Sequence, residues 1–293
     1  MTRRRDWNAV GFAALLLAPG LLLYGLLVLW PMEQAFWVAL HRWRGLSGRM
    51  TFVGLENFVA MAGDEKLRVA LGHNLQFFLL SLCLVLPAAI WFANTLSGEV
   101  RGGEFFRALY LFPNVVSIVA VSTLWMFIYN PNWGLLNASL KAVGLGGAVT
   151  TWLADPRTVL PAVCVSYAWY ALGFYILLFR GGIQGISTEI LEAAAVDGAT
   201  GSQVFARVVL PLLADFVRLS VIYLFINALN VFSLVWIMAP PSGTAGATEV
   251  SLTFLFQKGF IEQQFGYATA IGGVTFLLVL GLTSAVNRLW KVG

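Results

Sequence analysis

Glu192-Ala193-Ala194-Ala195-Val196-Asp197-Gly198-Ala199, followed by Phe205 and then Leu210-Pro211, is a polar interruption in an otherwise largely apolar chain. Its residues specify a short helix and its stop. Ser187 or Thr188 can cap the N-terminus. Glu189 and Glu192 fall in the first turns, where the positive end of the helix dipole favours carboxylates. Ala193, Ala194 and Ala195 are strong helix formers with almost no side-chain bulk. Gly198 can take the left-handed conformation that ends a helix. A second helix is expected from near Ser202, carrying Phe205, Val208 and Val209 toward Pro211. The product is a smooth-sided helix on a turn, small enough to seat in a groove. Glu192 and Asp197 are placed to pair with basic groups there. Composition alone favours a surface helix that only connects two spans.

What surrounds this loop decides the fold class. The chain has 293 residues, of which 59% are hydrophobic and 11% charged. A soluble domain carries about 25% charge, so lipid is the expected solvent. The net charge of +4 is too small to argue for nucleic-acid binding. Cys83 and Cys164 sit in apolar runs with no metal or redox spacing. His41 and His73 form no catalytic or metal set with them.

About 20 apolar residues cross a bilayer as a helix. Six segments meet this, near residues 10–39, 74–96, 108–129, 159–179, 212–238 and 267–285, leaving 183–211 as the main loop on one side. Helices satisfy every backbone amide within one segment, and spans of this length exceed the ~10 residues of a barrel strand. The expected fold is therefore all-α and integral to the membrane, with six transmembrane helices. Arg3, Arg4 and Arg5 before the first run place the N-terminus in the cytoplasm, and six crossings return the C-terminus there. The first run is read as a retained span, since it exceeds the length of a signal peptide's apolar region. Lys and Arg total ten inside and eight outside, a weak bias. Trp30, Trp125 and Trp236 fall toward the same ends of spans one, three and five, as expected of interfacial residues.

Glu-Ala-Ala, Asp-Gly-Ala, Phe205 and Leu-Pro in this order resemble the "EAA" loop of permease subunits of binding-protein-dependent ABC importers, in particular the carbohydrate-uptake class. Phe52-Val53-Gly54-Leu55-Glu56-Asn57-Phe58, Phe106-Arg107-Ala108-Leu109-Tyr110-Leu111-Phe112-Pro113, Pro131-Asn132-Trp133-Gly134-Leu135-Leu136-Asn137 and Phe265-Gly266-Tyr267-Ala268 resemble further marks of that class, in order along the chain. The subgroup resembled is the first permease of glycerol-phosphate and oligosaccharide importers. This resemblance implies a MetI-like permease fold as a single domain over 1–293, with a short cytoplasmic coupling helix in a bacterial or archaeal plasma membrane. It implies that Glu192, Ala193, Ala194, Asp197, Gly198, Ala199 and Phe205 couple to an ATPase subunit. It also implies a second permease, two ATP-binding subunits and an extracytoplasmic solute-binding protein as partners. The chain has no Gly-x-x-x-x-Gly-Lys-Ser/Thr phosphate loop. It is therefore expected to be no enzyme and to hold no cofactor, with ATP and Mg bound by its partners.

Charged residues are almost absent from span centres, so uncharged polar and aromatic residues carry the functional signal. Tyr223, Asn227, Asn230 and Leu234 recur at helical spacing on one face of span five. Tyr167, Tyr170 and Phe174 occupy one face of span four. Amides offer donors and acceptors to hydroxyls, and aromatic rings suit the C–H faces of a sugar. The same amides can instead bond between helices, and the aromatics can simply pack. Two other functions compete: a secondary carrier, which usually has ionisable residues within the membrane, and a permease for a solute other than sugar.

Overall fold

The computed structural model describes residues 7–45, 48–98, 102–240, 243–244 and 246–290. Arg3–Arg5, Arg101 and Lys291 of the orientation argument lie outside them. The chain divides into two compact units, Met1–Asp64 with Leu255–Phe276 and Glu65–Phe254 with Leu277–Gly293.

In the first unit, α1 (Trp7–Tyr24) passes through a π-helical turn, Gly25–Leu29, into α2 (Trp30–Ala39). The amide of Trp30 reaches back to the carbonyl of Gly25, and Pro31 follows at once. Proline has no amide to donate and its ring crowds the carbonyl four residues back, so a widened turn is the local solution. None of the apolar window of this first span is buried within the chain, which is the state expected of a helix solvated by lipid. Beyond it, β1 (His41–Arg42) pairs antiparallel with β2 (Thr51–Phe52). Then α3 (Glu56–Gly63) is tied back by Asn57, whose amide donates to the carbonyls of Ala39 at 2.7 Å and His41 at 3.0 Å. His41 is buried, its Nδ1 2.7 Å from the Trp37 carbonyl oxygen.

The second unit is built on α4 (Glu65–Thr95) against α8 (Val159–Gln184). Asn74, Phe77, Ser81, Val85, Ala89 and Ala93 recur every three or four residues on α4 and are all buried. Val163, Tyr167, Ala171 and Phe179 face the same core from α8. α5 (Gly103–Val115) lies on α8 so closely that a Cβ at Gly173 would collide with the Tyr110 carbonyl. Apolar surface gains little by leaving lipid, so membrane helices associate through such close backbone approach.

Four helices are long and apolar enough to cross a membrane alone, and two bent pairs raise the total to six among the described residues. α4 begins nine residues before the segment expected from residue 74. Span three, expected as one helix over 108–129, is α5 followed by α6 (Ile118–Ile128) with a 100° bend. Val116 is extended, and the Ser117 hydroxyl accepts the Val119 amide at 3.3 Å, starting a new helix there. Span five, expected over 212–238, is broken twice. The helical run Gly201–Leu212 meets α12 (Ala214–Leu229) at a 63° bend, which is the second bent pair, and α13 (Ser233–Met238) starts afresh after Phe232 leaves helical geometry at φ −133°. The expected outside loops contain helices of their own, α7 (Leu135–Ala142) and α14 (Ser251–Phe256). The last span is α15 (Phe265–Leu289).

Trp125 packs against Tyr129 and Trp169, at ring-centroid distances of 5.2 Å and 5.9 Å, with its indole nitrogen buried.

Candidate functional site

The break after α12 leaves carbonyls of its last turn without intrahelical donors. Asn74 answers it. Its side-chain amide donates to the Ala228 carbonyl at 2.6 Å, and its Oδ1 accepts the Ser251 amide, at the start of α14, at 2.8 Å. One buried side chain thus caps the end of one helix and the beginning of another.

One turn and more from that fixed end, α8 and α12 enclose a cavity of about 220 Å³. Tyr167, Tyr170, Phe174, Tyr223 and Asn227 all line it, as the two helix faces predict. Asn230 is not part of this lining. It is the C-cap of α12, and its amide turns back to the Ile226 carbonyl at 2.8 Å. The expected face through Leu234 ends there, because the helix that would carry it stops at Leu229; Leu234 is buried on α13. Asn227 likewise donates to a carbonyl of its own helix, Tyr223 at 2.8 Å. The Asn227 side chain also hydrogen-bonds the Tyr175 side chain of α8, so it joins two helices, whereas the Asn230 bond stays within α12. Asn74 and Asn114 join helices as well, Asn114 by donating to the Tyr170 carbonyl at 3.0 Å.

Asn114, Ala171 and Tyr175 complete the lining, and none of the three is among the residues expected from sequence. Tyr175 lies eight residues beyond Tyr167, so extending the helical spacing finds it. Asn114 sits on α5, and only the packing of α5 on α8 brings it here. The site is aromatic, with Phe174 and Tyr223 rings 5.9 Å apart, and no charged residue is among its described lining residues. Phe174 and Tyr223 expose 40% and 43% of their surface, so the cavity opens on the outside of the chain.

The loop after α8 forms α9 (Thr188–Val196) with Ser187 at its N-cap, although the Ser187 side chain makes no capping bond. Gly198 has φ +76°. The Ala199 amide then reaches the Ala194 carbonyl and the Gly198 amide the Ala195 carbonyl, both at 3.0 Å. This is the Schellman arrangement, in which a left-handed residue after the helix satisfies its last carbonyls. Thr200 immediately caps α10 (Gly201–Val204), one residue before the expected start, by a capping box with Gln203. Glu192, Ala193, Asp197 and Gly198 are exposed, while Ala194, Ala199 and Phe205 are half-buried. Phe205–Val209 is a second π-turn, followed by α11 (Leu210–Leu212). Here too the turn precedes a proline, Pro211.

The geometry belongs to a recognisable class. Residues 85–290 match the family described as "binding-protein-dependent transport system inner membrane component". The chain belongs to this family.

Among relatives of this inner membrane component, the diacetylchitobiose uptake system permease protein of Streptomyces coelicolor is 36% identical, over 98% of this chain and 85% of the relative. An sn-glycerol-3-phosphate transport system permease protein of Brucella abortus is 29% identical, over 92% of this chain and 91% of its own. A chain of a bacterial alginate ABC transporter, solved in complex with an alginate pentasaccharide-bound periplasmic protein, superposes with a TM-score of 0.83 at 23% identity and 98% coverage of both chains. The permease fold is thereby established, and the secondary carrier drops out. As a transport permease the protein is not an enzyme.

Proposed function

We propose that this permease forms half of the pathway of a sugar importer, with a second permease completing the cavity between α8 and α12. The lining chemistry carries the reading. Aromatic faces, amides and phenol hydroxyls suit a neutral hydroxyl-rich solute, and the described lining offers no cation to a phosphate. An exposed amide and exposed tyrosine are costly against hydrocarbon, which supports a covering partner or a water-filled path over Tyr223 and Asn227. The names of relatives, which include diacetylchitobiose and multiple-sugar systems, support the same solute class.

In this reading α9 docks in a groove of an ATPase subunit through Glu192, Ala193, Ala194, Asp197, Gly198, Ala199 and Phe205. Two such subunits bind ATP and Mg, a solute-binding protein delivers sugar from outside, and both termini are cytoplasmic. The test is uptake by the assembled transporter in proteoliposomes, with ATP inside and loaded binding protein outside. Uptake of a neutral oligosaccharide that requires both is expected. Uptake of an amino acid or peptide, with sugars inert, would replace this reading by a non-sugar importer.

A further inference from the structure

A second cavity, of about 440 Å³, lies where the chain leaves α4, between the start of α5 and the end of α8. It is unlike the tyrosine cavity in its chemistry. Arg107 and Arg180 enter it, with Glu104 and Ser97 at its wall. Neither arginine has an ion-pair partner among the described residues, and the Arg180 Nε is buried without a hydrogen bond. A buried guanidinium nitrogen without an acceptor is costly, so the geometry calls for one. Among its described lining residues, two arginines face one carboxylate, Glu104. The first turn of α5 adds its amides, since Gly102 opens that helix at φ +78° with no side-chain cap.

The surroundings name the source of the anion. Trp91 and Phe92 near the end of α4, and Phe105 and Phe106 at the start of α5, are exposed in two edge-on pairs, at 4.7 Å and 5.9 Å. An exposed tryptophan at a span end, as Trp91 is, marks the lipid–water boundary, and the exposed phenylalanines beside it offer an apolar surface. Arg180 lies five residues before Gly185, where α8 gives way to the coupling loop, so this is the membrane face on which α9 sits. Basic pockets between membrane helices at such a boundary accept phosphate headgroups.

We propose that this cavity binds the phosphate of an anionic glycerophospholipid, with Arg107 and Arg180 on the phosphate oxygens and the acyl chains along Trp91 and Phe105. A bound lipid would join α4, α5 and α8 at the point from which the coupling loop departs. This site is independent of which solute the permease carries.

The experiment is native mass spectrometry of the full-length chain in neutral detergent, titrated with phosphatidylglycerol or phosphatidylcholine. Phosphatidylglycerol is expected to bind at least tenfold more tightly than phosphatidylcholine, and excess inorganic phosphate is expected not to displace it. Arg107→Gln should weaken binding about tenfold, the scale of a lost charge-assisted contact. Glu104→Gln should strengthen it, an effect that general damage to the fold does not produce. Arg107 and Glu104 are both exposed, so these variants keep the core. Equal binding of the two lipids, or no response to either substitution, would overturn the site. Displacement by inorganic phosphate would overturn the lipid assignment in favour of a free anion. Loss of subunit assembly in Arg107→Gln with lipid binding unchanged would overturn it in favour of a partner's acidic side chain.

Discussion

The Ala199 amide donates to the Ala194 carbonyl at 3.0 Å across Gly198, which stands at φ +76°. This bond explains the spacing of the polar interruption. The alanines supply the last carbonyls of α9, and the glycine turns the chain so that the following amides can reach them. Ala199 is then the only residue between the left-handed stop and Thr200, which caps α10. Two helices thus meet at a defined angle with almost no slack.

Gly198→Val tests this corner. A Cβ there meets nothing within 4 Å, so the effect is one of backbone conformation and not of crowding. Left-handed geometry costs an L-residue roughly 1–2 kcal/mol, more for a branched one. The variant is expected to reach the membrane at normal levels and to melt near the parent temperature in detergent. Its retention of co-purified ATPase subunit should fall about tenfold. Normal retention and normal uptake would remove α9 as the docking element.

Asn227 and Asn230 now separate. Asn227 lines the tyrosine cavity and Asn230 caps the end of α12. Asn227→Leu is expected to raise the apparent KM for sugar several-fold, since a hydrogen bond to a neutral group is worth roughly 0.5–1.5 kcal/mol. Asn230→Leu should leave uptake per assembled complex within about twofold. The reverse ranking, measured on complexes matched for assembly, would move the solute path away from this cavity.

Asn74→Leu addresses stability. It is nearly isosteric but strands the Ala228 carbonyl and the Ser251 amide in a buried site. Each orphaned group costs about 1–3 kcal/mol. A clear drop in the unfolding midpoint in detergent is expected, with Asn74→Asp less severe because an acceptor for Ser251 survives. An unchanged midpoint for Asn74→Leu would show that this bridge does not hold the two helix ends.

Orientation can be read by labelling. Single cysteines at Gly146 and Gly201, in a chain without Cys83 and Cys164, should react with an impermeant thiol reagent only from opposite sides of the membrane. Labelling of position 201 from outside intact cells would invert the topology.

The sequence by itself determined the membrane class, the approximate positions of six spans and the short helix with its glycine stop in the loop 183–211. These are local properties: apolar run length against bilayer thickness, alanine propensity, and a glycine at the one place where a left-handed residue closes a helix. It also placed Tyr167, Tyr170 and Phe174 on one face, because helical periodicity survives along the unbroken α8. Only the tertiary structure decided where spans three and five break. The carbonyls freed after Leu229 need a donor, and that donor, Asn74, is 154 residues away from Ala228. The same holds for Asn114, carried to Tyr170 by α5 crossing α8 at Gly173, where the absence of a side chain lets two backbones touch. Sequence spacing reads what one helix presents; which partner satisfies an orphaned backbone group is settled only when distant helices pack.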